Sequence, residues 1–189
     1  MASHLKASLT VEEYLSLERS AERRSEYLKG EMFAMTGASI RHNLIAGNIF
    51  AELKRQLRQT GCKTFVSDMR VGVPAAELYT YPDVVVVCGE PKLEDKHLDT
   101  LLNPVLIVEV LSKSTASYDR VTKFGYYRTI ESLTGYLLVE QARYKVEQYT
   151  KQSDGNWLLT DISLPEASVE LASVGCTLAM NDIYESVEF

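Results

Sequence analysis

Two unbroken aliphatic runs constrain this chain more than any other feature: PDVVVVC (residues 82–88) and PVLIVEVL (residues 104–111). A strand with one wet face alternates polar and apolar residues, so a strand apolar at every position must be covered on both faces. Two such strands call for a central sheet with layers on either side, an α/β or α+β domain around a mixed sheet. The connection between them, GEPKLEDKHLDTLLN, is short and polar and needs no crossover helix, so the strands are free to pair antiparallel. One residue breaks the pattern. Five of the six residues from Val105 to Val110 are aliphatic, and the sixth is Glu109. A carboxylate buried there loses its hydration and needs compensation.

The rest of the chain supplies the covering layers. Thr10 stands three residues before Glu13, a capping-box start for a short helix. GEMFAMTG (30–37) reads as a short strand ending in a turn. From Ser39 to about Thr60 the residues Ile45, Ile49, Leu53 and Leu57 recur every four positions before Gly61, which predicts an amphipathic helix. KTFVSDMRVGVP predicts one or two strands, and a helix is expected from about Thr115 to Ile130. Four strand candidates follow (LTGYLLVE, KVEQYTKQ, NWLLTDIS and ASVELASVG), with a short helix to close the chain. At 189 residues, 1–189 is expected to form a single domain with its own core.

Composition narrows the partners. The net charge of −6 means that any nucleic-acid contact must use a local basic patch. No run approaches membrane-spanning length, and MASHLKASLTVEEY has no signal-peptide core. Cys62, Cys88 and Cys176 are odd in number and far apart, which reads as reduced, mostly buried thiols of a cytoplasmic protein, with Cys88 as core. Phosphate-loop, dinucleotide, zinc and nucleophile-elbow motifs are absent.

In an antiparallel pair, directly opposed residues share a face. If the connection between the runs centres near Lys96, Asp83 lies opposite Glu109. Two carboxylates at that range do not both stay ionised cheaply unless a cation joins them. Oxygen donors in this arrangement suit Mg²⁺ or Mn²⁺, with the Val110 carbonyl as a further ligand. The plainer alternative has Asp83 capping a turn and Glu109 paired with a basic side chain.

A Pro-Asp opening one strand and a glutamate near the end of the next resemble the PD-(D/E)XK nuclease superfamily. More closely, TYPDVVVVCGEP, NPVLIVEVLSKSTASYDRVTKFGYYR and YLLVEQARYKVEQY resemble the Uma-type family of restriction-endonuclease-like bacterial proteins, over nearly the whole chain. The resemblance implies a restriction-endonuclease-like mixed sheet flanked by helices and a metal held by Asp83 and Glu109. It implies hydrolysis of nucleic-acid phosphodiester bonds, DNA first. In the parent motif a lysine that steadies the attacking water follows two residues after the glutamate, where this chain has Leu111. Lys113 and Lys123 are the available replacements. Lys123 fits better, because the Uma-type pattern carries the Asp119 and Lys123 of YDRVTKF. As a mere surface pair those two would contribute only about 0.3–0.5 kcal/mol.

By the same resemblance Glu31 and His42 lie near the pocket, and His42 falls in the first turn of a helix capped by Ser39. Ser112, Ser114 and Thr115 offer hydroxyls at a helix start, as caps or phosphate contacts. A homodimer is expected, since two symmetric subunits most simply cut two strands. Two alternatives stay open: a catalytically idle DNA- or protein-binding accessory, and a hydrolase of small phosphoesters.

Overall fold

The computed structural model describes residues 8–35 and 37–189, so the first residues read for a signal segment lie outside it. In chain order the elements are α1 (Val11–Ser20), β1 (Ser25–Leu28), β2 (Glu31–Ala34), α2 (Ile40–Gln56), β3 (Cys62–Val66), β4 (Arg70–Val73), β5 (Leu78–Thr80), β6 (Val84–Cys88), β7 (Thr100–Leu101) and β8 (Leu106–Leu111). A π-helical turn, Tyr118–Lys123, then runs into α3 (Phe124–Tyr127). β9 (Gly135–Glu140), β10 (Val146–Lys151), β11 (Trp157–Ile162), β12 (Ser168–Leu171), β13 (Cys176–Ala179) and α4 (Met180–Ile183) complete the chain.

The two aliphatic runs become β6 and β8, side by side inside a six-stranded sheet ordered β11-β10-β9-β8-β6-β3. They pair antiparallel, Val84 with Val108 and Val86 with Leu106, while β8 and β9 run parallel. Alternation splits each run between two cores. Val84, Val86, Leu106, Val108 and Val110 pack under α2, β12 and β13 with Ile45, Ile49 and Leu53. Val85, Val87, Ile107 and Leu111 pack the other way, against Tyr127, Tyr136 and the second sheet, ordered β2-β1-β5-β4-β7. Each aliphatic side chain fully buried in this manner contributes about 1.5–3 kcal/mol. The domain is therefore a mixed α+β fold, as expected.

The caps match their sequence signals. Thr10 and Glu13 form a reciprocal capping box on α1, and the Ser39 hydroxyl accepts from His42 N at the start of α2. Three expectations need correction. The β6–β8 connection is no simple loop, because it detours to lend β7 to the second sheet. The helix expected from about Thr115 to Ile130 ends at Tyr127 and contains a π turn, a form that recurs at functional segments. Cys62 and Cys88 are not free thiols. They are directly opposed on β3 and β6 and are joined as a disulfide, leaving Cys176 as the buried free cysteine. Among the described residues no helix is long and apolar enough to cross a membrane.

Candidate active site

Asp83 stands immediately before β6, and its position follows from Pro82. The Val84–Val108 register, carried one hydrogen-bonded pair further, sets Val110 beside Pro82. Proline has no N–H to donate, so the ladder ends there and the Val110 carbonyl has no backbone donor on that side. The Val110 N–H turns instead to the Asp83 side chain, donating to Oδ2 at 2.7 Å. From the first turn of α2, His42 Nε2 donates to Asp83 Oδ1, also at 2.7 Å. The aspartate is thus held by a strand on one side and a helix on the other.

Glu109 is the residue of β8 opposite Asp83 and is 5% exposed. Its Oε1 accepts from Lys123 Nζ at 3.2 Å and from the Tyr127 hydroxyl at 3.1 Å. Among the described residues its Oε2 accepts no hydrogen bond. Lys123 lies on the π turn, buried, and its ammonium meets two further carboxylates: Glu26 of β1 at 2.8 Å and Asp119 at 3.4 Å. Asp119 is buried as well, and its Oδ1 has no hydrogen-bond donor among the described residues. The exposed-pair alternative for Asp119 and Lys123 is thereby excluded.

Four carboxylates thus converge on one ammonium and one imidazole. Burial pushes the Glu109 carboxyl well above the usual range; Lys123 opposes this, while Asp119, Asp83 and Glu26 add to it. Burial works against the Lys123 ammonium, but Glu109, Glu26 and Asp119 overcome it and hold the group charged. The Tyr118 phenol is pushed up to about 12 by burial and by Glu26. These groups border a cavity of about 690 Å³ whose wall also includes Ser39, Ser112, Ser114, Thr115, Tyr81 and Gln141. Gln141, just past the end of β9, donates from Nε2 to the Leu111 carbonyl and ties the two parallel strand ends together.

A divalent cation fits this donor set. Glu109 Oε2, Asp119 Oδ1 (3.4 Å from Lys123 Nζ), the Asp83 carboxylate and the Val110 carbonyl are all hard oxygen donors, the type chosen by Mg²⁺ and Mn²⁺. Among the described residues no group of three His, Cys, Asp or Glu side chains is already gathered as a cage.

Of the residues singled out in the sequence, Asp83, Glu109, Val110, His42 and Lys123 meet at this cavity. Lys113 is exposed and lies outside the wall. Glu31 is not part of the cluster. It is exposed at the turn end of the β1–β2 hairpin, paired with Leu28, two rungs from the pair that reaches Lys123. The acid of that hairpin is Glu26, which the sequence reading missed. Nothing in SEYL marked it, and its contact with Lys123 arises only when the hairpin packs against the π turn. Leu111 is buried in the apolar core, so the position of the superfamily lysine is filled by packing, and an ammonium reaches Glu109 from the helix instead.

The fold, a mixed sheet flanked by helices with two carboxylates at facing strand ends, can now be set beside known proteins. A family model described as "Uma2: Putative restriction endonuclease" matches residues 11–181, and the chain belongs to that family. It is 43% identical to the uncharacterized protein sll1609 of Synechocystis over 164 residues, 87% of this chain and 93% of that one. It is 34% identical to the uncharacterized protein slr1290 of the same organism, covering 96% of this chain and 94% of the relative. In three dimensions it resembles the crystal structure of "a putative nuclease belonging to DUF820" from Anabaena variabilis. That likeness has a TM-score of 0.78 and 17% identity, and covers 95% of this chain and 99% of the other.

Proposed function

We propose that the protein is a metal-dependent endonuclease that hydrolyses nucleic-acid phosphodiester bonds. One observation carries the reading. Asp83 and Glu109 face each other where Pro82 ends the ladder, and a buried ammonium reaches Glu109 from outside its strand. The family's description and the nuclease title of the structural neighbour agree with it.

Asp83, Glu109 and the Val110 carbonyl would hold Mg²⁺ or Mn²⁺. When bound, such an ion neutralises charge on a phosphate and acidifies a water. His42 fixes the Asp83 carboxylate by its 2.7 Å hydrogen bond. Tyr127, itself hydrogen-bonded to Thr80 at 2.6 Å, fixes Glu109. Lys123 occupies the role of the missing strand lysine, positioning the attacking water beside Glu109. The reading extends to DNA as the polymer. A two-fold pair of subunits would serve a duplex, whereas one copy suffices for a single strand.

Calorimetric Mn²⁺ titration of wild type, Asp83→Asn and Glu109→Gln tests the proposal, with cleavage assays on plasmid and single-stranded DNA. Binding and cleavage are expected in wild type, with both lost in each variant. A wild type that binds no Mn²⁺ and cuts neither substrate would sink the reading. The second reading, an idle accessory, is favoured by the engagement of Lys123 with three carboxylates at once. Under it Lys123→Ala leaves oligonucleotide binding intact and there is no cleavage to lose.

A further inference from the structure

The cavity wall has an unexpected composition for a site that grips a duplex by its phosphates. Among the described residues that line it, Lys123 and His42 are the sole basic side chains, and both are already engaged by carboxylates. Large apolar side chains stand at its mouth. Phe33 is 46% exposed and Met35 39%, and both line the cavity. Exposed Ile40 and Val66 each adjoin a lining residue, Ser39 and Ser67.

The hairpin register relates this rim to the site. Phe33 of β2 is directly opposed to Glu26 of β1. Opposed residues in an antiparallel pair share a face, with Cβ atoms about 4.5–5.5 Å apart. Glu26 in turn holds Lys123, and Lys123 holds Glu109. Met35 follows Phe33 by two residues. A phenyl ring therefore stands three contacts from the strand-end carboxylates, on the face that looks towards them. The cavity, about 690 Å³, is within the range that encloses a single small ligand.

We infer that Phe33 and Met35 form a base-binding subsite, which takes one unpaired nucleobase beside the scissile phosphate. The substrate class is then a single strand, or a duplex position whose base has left the stack. This rests on the nuclease reading and deepens it. Stacking on an aromatic ring is tolerant of sequence and contributes about 1–3 kcal/mol per base. It also explains how a chain of net charge −6 holds a polyanion: the contact is made to the base.

The test is fluorescence anisotropy in Ca²⁺, which neutralises the carboxylates. Three labelled probes of equal length are compared: single-stranded DNA, the same strand with abasic residues, and a fully paired duplex. Wild type is expected to bind the base-bearing single strand at least about tenfold tighter than the other two. Its salt dependence should be shallow, as only a few phosphate contacts give. Phe33→Ala abolishes the preference and Phe33→Trp keeps it. Equal affinity for base-bearing and abasic strands overturns the subsite, as does tighter binding of the duplex. So does a Phe33→Ala variant that changes sedimentation rather than binding, since a second copy would then be the occupant of this face. Mn²⁺ cleavage separates the two proposals. Base-dependent binding without cleavage keeps the subsite and ends the nuclease reading, while cleavage without base dependence does the reverse.

Discussion

Two of the chain's ionic clusters, one partly open to solvent and one buried beside a cavity, are built on different accounts of charge. In the first, on the α1 side, two guanidiniums meet two carboxylates directly and a third, Glu18, through the Tyr81 hydroxyl. Arg19 bridges Asp95 and Asp99 at 2.8 Å, and Arg70, 2% exposed, reaches Asp99 at 3.0 Å. Arg70 also donates to Thr100 and to the Tyr81 hydroxyl, which in turn donates to Glu18 at 3.0 Å. Glu18 completes the set by accepting from Ser25 N through both oxygens. The second cluster gathers Glu26, Asp83, Glu109 and Asp119 around Lys123 and His42, so that carboxylates outnumber cations beside a cavity. The first cluster is the more nearly balanced of the two, and a surplus of buried carboxylates facing a cavity makes the second the candidate for binding.

The clusters are also joined. Glu18 pins Ser25, the residue before Glu26, and Tyr81, two residues before Asp83. The balanced network thereby holds two carboxylates of the unbalanced one in place.

The largest expected effect tests the balanced side. Arg70→Met leaves Asp99 and the Tyr81–Glu18 pair without their buried cation, and breaking such a contact costs about 3–5 kcal/mol. Melting should fall by roughly 10 °C. A loss no larger than that of a surface substitution would show that the network is ornamental. The next test applies one substitution to both clusters. Glu18→Gln weakens hydrogen bonds that a charged acceptor strengthened, by about 1 kcal/mol, and lowers the melting temperature by about 2–4 °C. Glu109→Gln removes a carboxylate from a surplus of them, so without metal it should raise the melting temperature by a similar amount while Mn²⁺ binding disappears. Opposite signs, measured by calorimetry in EDTA, sustain the contrast; equal signs break it.

How much of this was legible beforehand follows the same division. Asp83 and Glu109 could be placed because strand pairing is arithmetic: once two aliphatic runs must lie together, opposed residues follow from the length of the connection. His42 followed from the Ser39 cap, a strictly local signal. Glu26 did not, because SEYL carries no distinctive pattern. Its role arises only when a hairpin from a second sheet is laid against the π turn. The Arg70 network was invisible for the same reason: its members come from α1, β4 and the 95–100 connection and share no spacing. The disulfide was equally hidden, since Cys62 and Cys88 become neighbours only through the β3–β6 register. Local signals and the pairing of two strands with unmistakable patterns are written in the sequence; the pairing of less distinctive strands and contacts between sheets are not.

The smallest effect expected is a shift in the pH at which stability peaks. Arg19 hydrogen bonds and the nearby Arg70 hold the Asp99 carboxyl well below its ordinary value, and Arg120 with Lys145 does the same for Glu147. A lowered folded pKa contributes stability that is present above the unfolded value, near 4, and is lost as pH falls through the folded one. Asp99 is about a third exposed, so solvent screening keeps its share small. Glu109 works in the other direction. Its raised pKa favours the fold below the unfolded carboxylate value, and that contribution is lost as pH rises through the raised one. Metal-free wild type should therefore gain stability as pH is lowered from neutral to mildly acidic, then lose it below about pH 4 as Asp99 and Glu147 protonate. Glu109→Gln should flatten the neutral limb and leave the acid limb unchanged. Melting curves across that range decide it. An acid limb that moves with Glu109→Gln would mean that the two clusters titrate as one, and the distinction between scaffold and site would fall with it.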